Sequence, residues 1–136
     1  MRKILFRGKP TKDANVHNEL KKQMVNGFVL GSLVTGNQPY IFGDITYDEK
    51  EDNAHLSWWI PVVAETVGQF TGLLDKHGRK IFEGDIVRIE DFANYAVKWR
   101  EDIACWTLQD YIIGNTWGSS MLEVIGNIHD NPELLT

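Results

Sequence analysis

Short apolar runs, each closed off by Gly, Pro, Asn or Asp, make up most of the hydrophobic pattern, so the chain reads as strands joined by turns. Ile4, Leu5 and Phe6 form a first run that ends at Gly8-Lys9-Pro10. Residues 28–34 and 40–45 are β-rich and flank Thr35-Gly36-Asn37-Gln38-Pro39, which predicts an antiparallel hairpin. Residues 46–55 contain Asp48-Glu49-Lys50-Glu51-Asp52 and little apolar surface, and are expected to form an exposed loop. Residues 56–63 return to strand composition, with Pro61 placing that position at an edge or a bulge. Further on, Tyr95, Val97 and Trp99 alternate with Lys98 and Arg100, and Ala104, Trp106 and Leu108 share a face, giving a second hairpin. Residues 121–128 read as the last strand, with Gly126 at a bulge or close approach. Asn131-Pro132-Glu133-Leu134 predicts a closing helical turn that docks Leu134 and Leu135. One segment breaks the β pattern. Val16, Leu20 and Met24 recur at i, i+4 and i+8 behind Asp13 or Asn15 and ahead of Asn26-Gly27, predicting a short helix near 13–26.

The rest is organised around residues 65–89, where Gly68, Gly72, Gly78 and Gly84 punctuate short apolar runs. Asp75-Lys76-His77-Gly78 suits a type I turn with Gly closing it in the left-handed region. Gly84-Asp85 then leads into the β-branched run Ile86-Val87-Arg88-Ile89. These glycines lack the Walker spacing, its Lys and a following helix, so turns and bulges explain them better than a phosphate cradle.

Val67-Gly68-Gln69-Phe70-Thr71-Gly72-Leu73, then Asp75, Gly78 and Lys80-Ile81-Phe82-Glu83-Gly84-Asp85-Ile86-Val87, resemble the signature of the YopX family of bacteriophage and prophage proteins. The opening Met1-Arg2-Lys3-Ile4-Leu5-Phe6-Arg7-Gly8 and the closing Val124-Ile125-Gly126-Asn127-Ile128-His129-Asp130-Asn131-Pro132-Glu133-Leu134-Leu135 extend the resemblance over nearly the whole chain. This chain departs from the pattern by inserting residues 13–26 and by placing Phe28 where the family has Trp. The resemblance implies a phage-encoded protein of the bacterial host's cytoplasm with no established activity. It also implies a mainly β fold with a small, partly open SH3-like barrel, and Gly68, Thr71, Gly72, Asp75, Gly78, Gly84 and Asp85 as its structural signature.

A length of 136 residues suits a single YopX-like domain, read as an N-terminal β-rich lobe over 1–64 and a barrel lobe over 65–136. The net charge of −5 disfavours a broad phosphate-binding surface. One cysteine, Cys105, precludes an internal disulfide and points to a reducing cytoplasm. No apolar run approaches the roughly 18 to 20 residues that a membrane helix needs.

Catalytic signals are sparse. His17, His55, His77 and His129 have no His or Cys partner at ligand spacing, so neither a metal nor another cofactor is expected. Cys105 beside Trp106 reads as a packed thiol, and Asp85 next to Glu83 as a turn residue rather than half of an acid–base pair. Aromatics are plentiful, with five Trp, four Tyr and six Phe. Adjacent Trp58 and Trp59 must point to opposite faces of a strand, so one is exposed or covered by another lobe or subunit. Trp58, Trp59 and Trp117 are therefore the candidate contact residues for a protein partner or for self-association. Lys76, His77, Arg79 and Lys80 are a candidate basic patch, which nucleic-acid binding would require to join Arg2, Lys3 and Arg7 beside aromatics. The sequence reading is thus a noncatalytic interaction module, with nucleic-acid binding as the alternative.

Overall fold

The computed structural model describes residues 4–90, 93–109, 111–113 and 118–136, except for the side chains of 44–46. It is mainly β. The strands are β1 (Phe6–Gly8), β2 (Val29–Val34), β3 (Tyr40–Asp48), β4 (Asn53–Pro61), β5 (Gly68–Leu74), β6 (Lys80–Phe82), β7 (Asp85–Ile89), β8 (Ala93–Arg100), β9 (Cys105–Leu108), β10 (Tyr111–Ile112) and β11 (Leu122–Asn127), with one helix, α1 (Asn18–Lys21). They form two antiparallel sheets, ordered β4-β3-β2-β1-β5-β6 and β10-β9-β8-β7-β11. The chain divides into two compact units, one over Ile4–Gln69 and the other built from Phe70–Thr136.

In the N-terminal unit, Leu20, Val29, Ile41, Ile60 and Val62 form the core, with Phe6, Val16, Met24, Trp58 and Val67 packed around it. The expected hairpin of β2 and β3 is present, pairing Ser32 with Phe42 and Val34 with Tyr40. Pro61 lies on the edge strand β4, where its missing N–H costs no ladder bond.

Two expectations change here. The apolar stripe Val16, Leu20 and Met24 does pack on the core, but α1 is a single turn and His17, not Asp13 or Asn15, occupies its N-cap without a side-chain bond. One turn gains too few backbone bonds to propagate. Asn26 and Gly27 then both take positive φ, 52° and 81°, and Val25 and Phe28 exchange backbone bonds of 3.1 and 3.0 Å. The pair that reads as a helix stop is thus a hairpin turn of the type I′ kind.

The second change concerns 46–55, which is not a loop. β3 and β4 remain paired out to Asp48 and Asn53. The Asp48 carboxylate closes the tip by accepting the N–H groups of Lys50 (2.9 Å) and Glu51 (3.4 Å). Tyr47 donates its hydroxyl to Asp52, and that bond, with a little burial, raises the phenol above its ordinary pKa. A backbone ladder holds this ribbon together without apolar burial, which composition alone does not reveal.

In the C-terminal unit, Ile81, Val87, Ile89, Val97, Leu108 and Leu122 are the core, and Tyr95 and Trp106 pack against it. Trp99 faces Trp106 edge-on at 5.0 Å but keeps 41% of its surface exposed, so it does not fill an interior as its alternation suggests. The β7–β11 ladder shifts register between Val124 and Gly126, the expected bulge. The five-stranded sheet stays open, with β10 and β11 at its two edges, and does not close into a barrel. Pro132–Leu135 forms the closing turn as a 3₁₀ helix. Asn131 does not cap it: its Oδ1 accepts the Asn127 N–H at 3.3 Å, and Leu135 stays exposed.

Candidate functional site

The signature residues are occupied by folding. The Asp75 carboxylate takes the N–H groups of His77 and Arg79 on one oxygen, both at 2.9 Å, and that of Val124 on the other at 3.0 Å. It thereby ties the β5–β6 turn to β11, and Lys76 N–H donates to the Leu122 carbonyl at 2.9 Å beside it. Burial pulls the Asp75 carboxyl upward, but the amides of Val124, Arg79 and His77 and the charge of His77 outweigh it and hold the carboxyl below its ordinary value. Gly78 closes the turn at φ 80°, donating to the Asp75 carbonyl at 3.0 Å.

Asp85 is buried and accepts the Phe82 N–H at 2.8 Å across Gly84, whose φ is 88°. Thr71 Oγ1 donates to the Ile81 carbonyl at 2.7 Å and accepts the Leu73 N–H at 3.1 Å, next to Gly72 at φ 86°. Gly68 pairs with Arg7 across β5 and β1. Turn and bulge geometry thus accounts for these residues. Among the described residues, no group of three or more His, Cys, Asp or Glu is placed to hold a metal ion. Nor is any helix there long and apolar enough to cross a membrane.

Lys76, His77, Arg79 and Lys80 are exposed on or beside one turn, but acidic and carbonyl groups draw on three of them. Glu123 lies 3.5 Å from Lys76 Nζ and 3.6 Å from His77 Nε2, and Arg79 Nη1 donates to the Val124 carbonyl at 3.4 Å. Glu123 lies far along the chain from this patch, and its strand is brought to the turn by the bonds from Lys76 N–H to the Leu122 carbonyl and from Val124 N–H to the Asp75 carboxylate. Arg7 is 7% exposed, with its guanidinium 4.2 Å from the centre of the Phe28 ring, so it offers no phosphate contact. Arg2 and Lys3 lie outside the described residues.

The tryptophan pair separates as strand geometry requires. Trp58 turns inward and lies over Gly43, where a Cβ would stand 2.3 Å from the indole ring. Trp59 turns outward and is 58% exposed. Trp117, the third candidate, lies outside the described residues. Around Trp59, the side chains of Val34, Tyr40, Phe42 and Leu56 line an apolar groove of about 330 Å³. Sequence reasoning found Trp59 but not these neighbours, because their convergence depends on the pairing of Phe42 with Trp59 and of Val34 with Tyr40.

A comparison with curated protein sequences finds no match. Among solved structures, the chain is similar to the crystal structure of protein EF1440 from Enterococcus faecalis, with a TM-score of 0.58 and 21% identity over all of both chains. That likeness is one of fold. The YopX protein family model matches residues 16–136, nearly the whole length, and the chain therefore belongs to the YopX family.

Proposed function

We propose that this YopX protein is a noncatalytic phage or prophage accessory protein that acts in the host cytoplasm by protein contact, self-association included, through the apolar groove around Trp59. In this reading the C-terminal unit is a partly open SH3-like module whose glycine-closed turns serve its folding. The observation that carries the proposal is Trp59, a large indole 58% exposed on a regular strand among other apolar side chains. Isolated exposed apolar residues are ordinary, whereas a contiguous apolar patch centred on an aromatic marks contact surfaces.

The test compares tagged wild type with Trp59→Ser in pull-downs from bacterial lysate, alongside sedimentation of each. Specific capture or self-association that Trp59→Ser removes supports the reading. Identical recoveries and identical sedimentation of the two proteins overturn it.

The alternative, nucleic-acid binding through Lys76, His77, Arg79 and Lys80, draws on their exposure on one turn. The net charge of −5 and the Glu123 carboxylate beside Lys76 and His77 weigh against it. Mobility shifts on single- and double-stranded DNA and RNA separate the two, since phosphate binding is strongest at low salt.

A further inference from the structure

We propose that the groove around Trp59 receives a proline-rich segment of another protein in the polyproline II conformation, with one pyrrolidine ring lying between Tyr40 and Trp59. This names the partner class for the protein-contact reading and rests on it. The groove lies on β2, β3 and β4, wholly within the N-terminal unit. Phe42 pairs with Trp59 and Tyr40 with Pro61, so Tyr40 and Trp59 are diagonal neighbours on one face of the β3–β4 pair. Such positions stand about 7–8 Å apart. A saturated ring touching a side chain on each of its faces needs about 3.5–4.0 Å to either one, so a single pyrrolidine fills that gap. Phe42 borders it on β3, and Val34 backs Tyr40 from β2.

Hydrogen bonding selects the occupant. The lining residues Val34, Tyr40, Phe42, Leu56 and Trp59 carry just two polar side-chain groups, the Tyr40 hydroxyl and the Trp59 Nε1–H. Neither meets a partner among the described residues. An indole N–H can only donate, and a phenol donates readily. The groove therefore calls for an apolar ligand that brings acceptors without donors.

A polyproline II segment has this chemistry. It makes no internal hydrogen bonds, so its carbonyls stay available as acceptors, and each Pro lacks the N–H that would face the two donors. Its backbone is also extended before it docks, which keeps the ordering cost low. Other occupants fit less well. An amphipathic helix uses its carbonyls internally and leaves both donors unmet. An added β-strand brings an N–H with each carbonyl. The groove of a second copy presents the same two donors again and adds no carbonyl.

Fluorescence anisotropy of a fluorescein-labelled oligoproline peptide titrated with the full chain tests this, with an amphipathic helical peptide of equal length as the control. Oligoproline is expected to bind saturably and more tightly than the helical peptide. Unlabelled oligoproline is expected to shift tryptophan emission to the blue as the Trp59 indole leaves water. Trp59→Ser should lose the binding with an unchanged circular dichroism spectrum, because the indole projects outward. Tyr40→Phe, which removes one oxygen, should weaken it about three- to tenfold. Oligoproline that does not bind wild type, that binds no better than the helical peptide, or that binds folded Trp59→Ser or Tyr40→Phe as tightly as wild type overturns the proposal. If Trp59→Ser does not fold, Tyr40→Phe decides. A chain that ignores oligoproline but loses capture or self-association on Trp59→Ser leaves the protein-contact reading standing and removes only the proline-rich partner.

Discussion

Replacing Asp75 by Asn changes one atom of a side chain that holds three backbone amides. The carboxylate accepts from His77, Arg79 and Val124, and its ring of bonds joins the β5–β6 turn to β11. An amide keeps one oxygen. If that oxygen stays on the turn, the new NH₂ faces the Val124 N–H, donor against donor. Leaving a buried donor without an acceptor costs about 1–3 kcal/mol, and the remaining bonds lose their charge assistance, worth about 1 kcal/mol more. Relief from burying a carboxylate offsets part of this, so Asp75→Asn is expected to cost about 2–4 kcal/mol, a large share of an ordinary domain's stability.

Urea unfolding of wild type and variant at pH 7 measures the difference. Its pH dependence tests the cause. The folded carboxyl is held below its ordinary value, so the unfolded chain binds the proton more readily. The stabilisation is therefore complete above the unfolded value of about 3.9 and is lost as pH falls through the folded one. The gap between wild type and Asp75→Asn should be level from pH 7 to about pH 5 and narrow below about pH 4. Unfolding midpoints that coincide at pH 7, or a gap that does not narrow down to the most acidic pH at which both proteins fold, would refute the electrostatic account.

Other expectations follow from the same geometry. Gly43→Ala drives a Cβ to within 2.3 Å of the Trp58 ring, so it should destabilise by about 1–3 kcal/mol and shift tryptophan emission as the indole moves. Unchanged emission and stability would mean that Trp58 does not lie over Gly43. Gly84→Ala forces φ 88° on a side chain, with a cost of about 1–2 kcal/mol in thermal unfolding. Trp59→Ser, by contrast, should leave unfolding within about 0.5 kcal/mol of wild type while altering association, because the indole projects outward from its strand.

Much of the strand order was legible because the signals are local. The β8–β9 hairpin, the Asp75-to-Gly78 turn and the Gly126 bulge each depend on a few neighbouring residues, and each is present in the fold. The opposite orientation of Trp58 and Trp59 follows from the two-residue period of a strand and needs no partner strand to be known. Readings that failed required knowledge of distant chain. The charged ribbon at 46–55 reads as a loop in sequence because its stability lies in backbone pairing, and the helix expected near 13–26 is one turn because Asn26-Gly27 forms a hairpin turn instead.

The sequence by itself determined the turns, the alternating faces and the family, since each is written in residues close together or in a fixed order along the chain. Only tertiary structure decided that Val34, Tyr40, Phe42 and Leu56 gather around Trp59 and that Glu123 meets the basic turn. The physical reason is register. Which residues of two strands stand side by side depends on the summed burial and hydrogen bonding of both, and a slip of one position would turn every side chain to the other face.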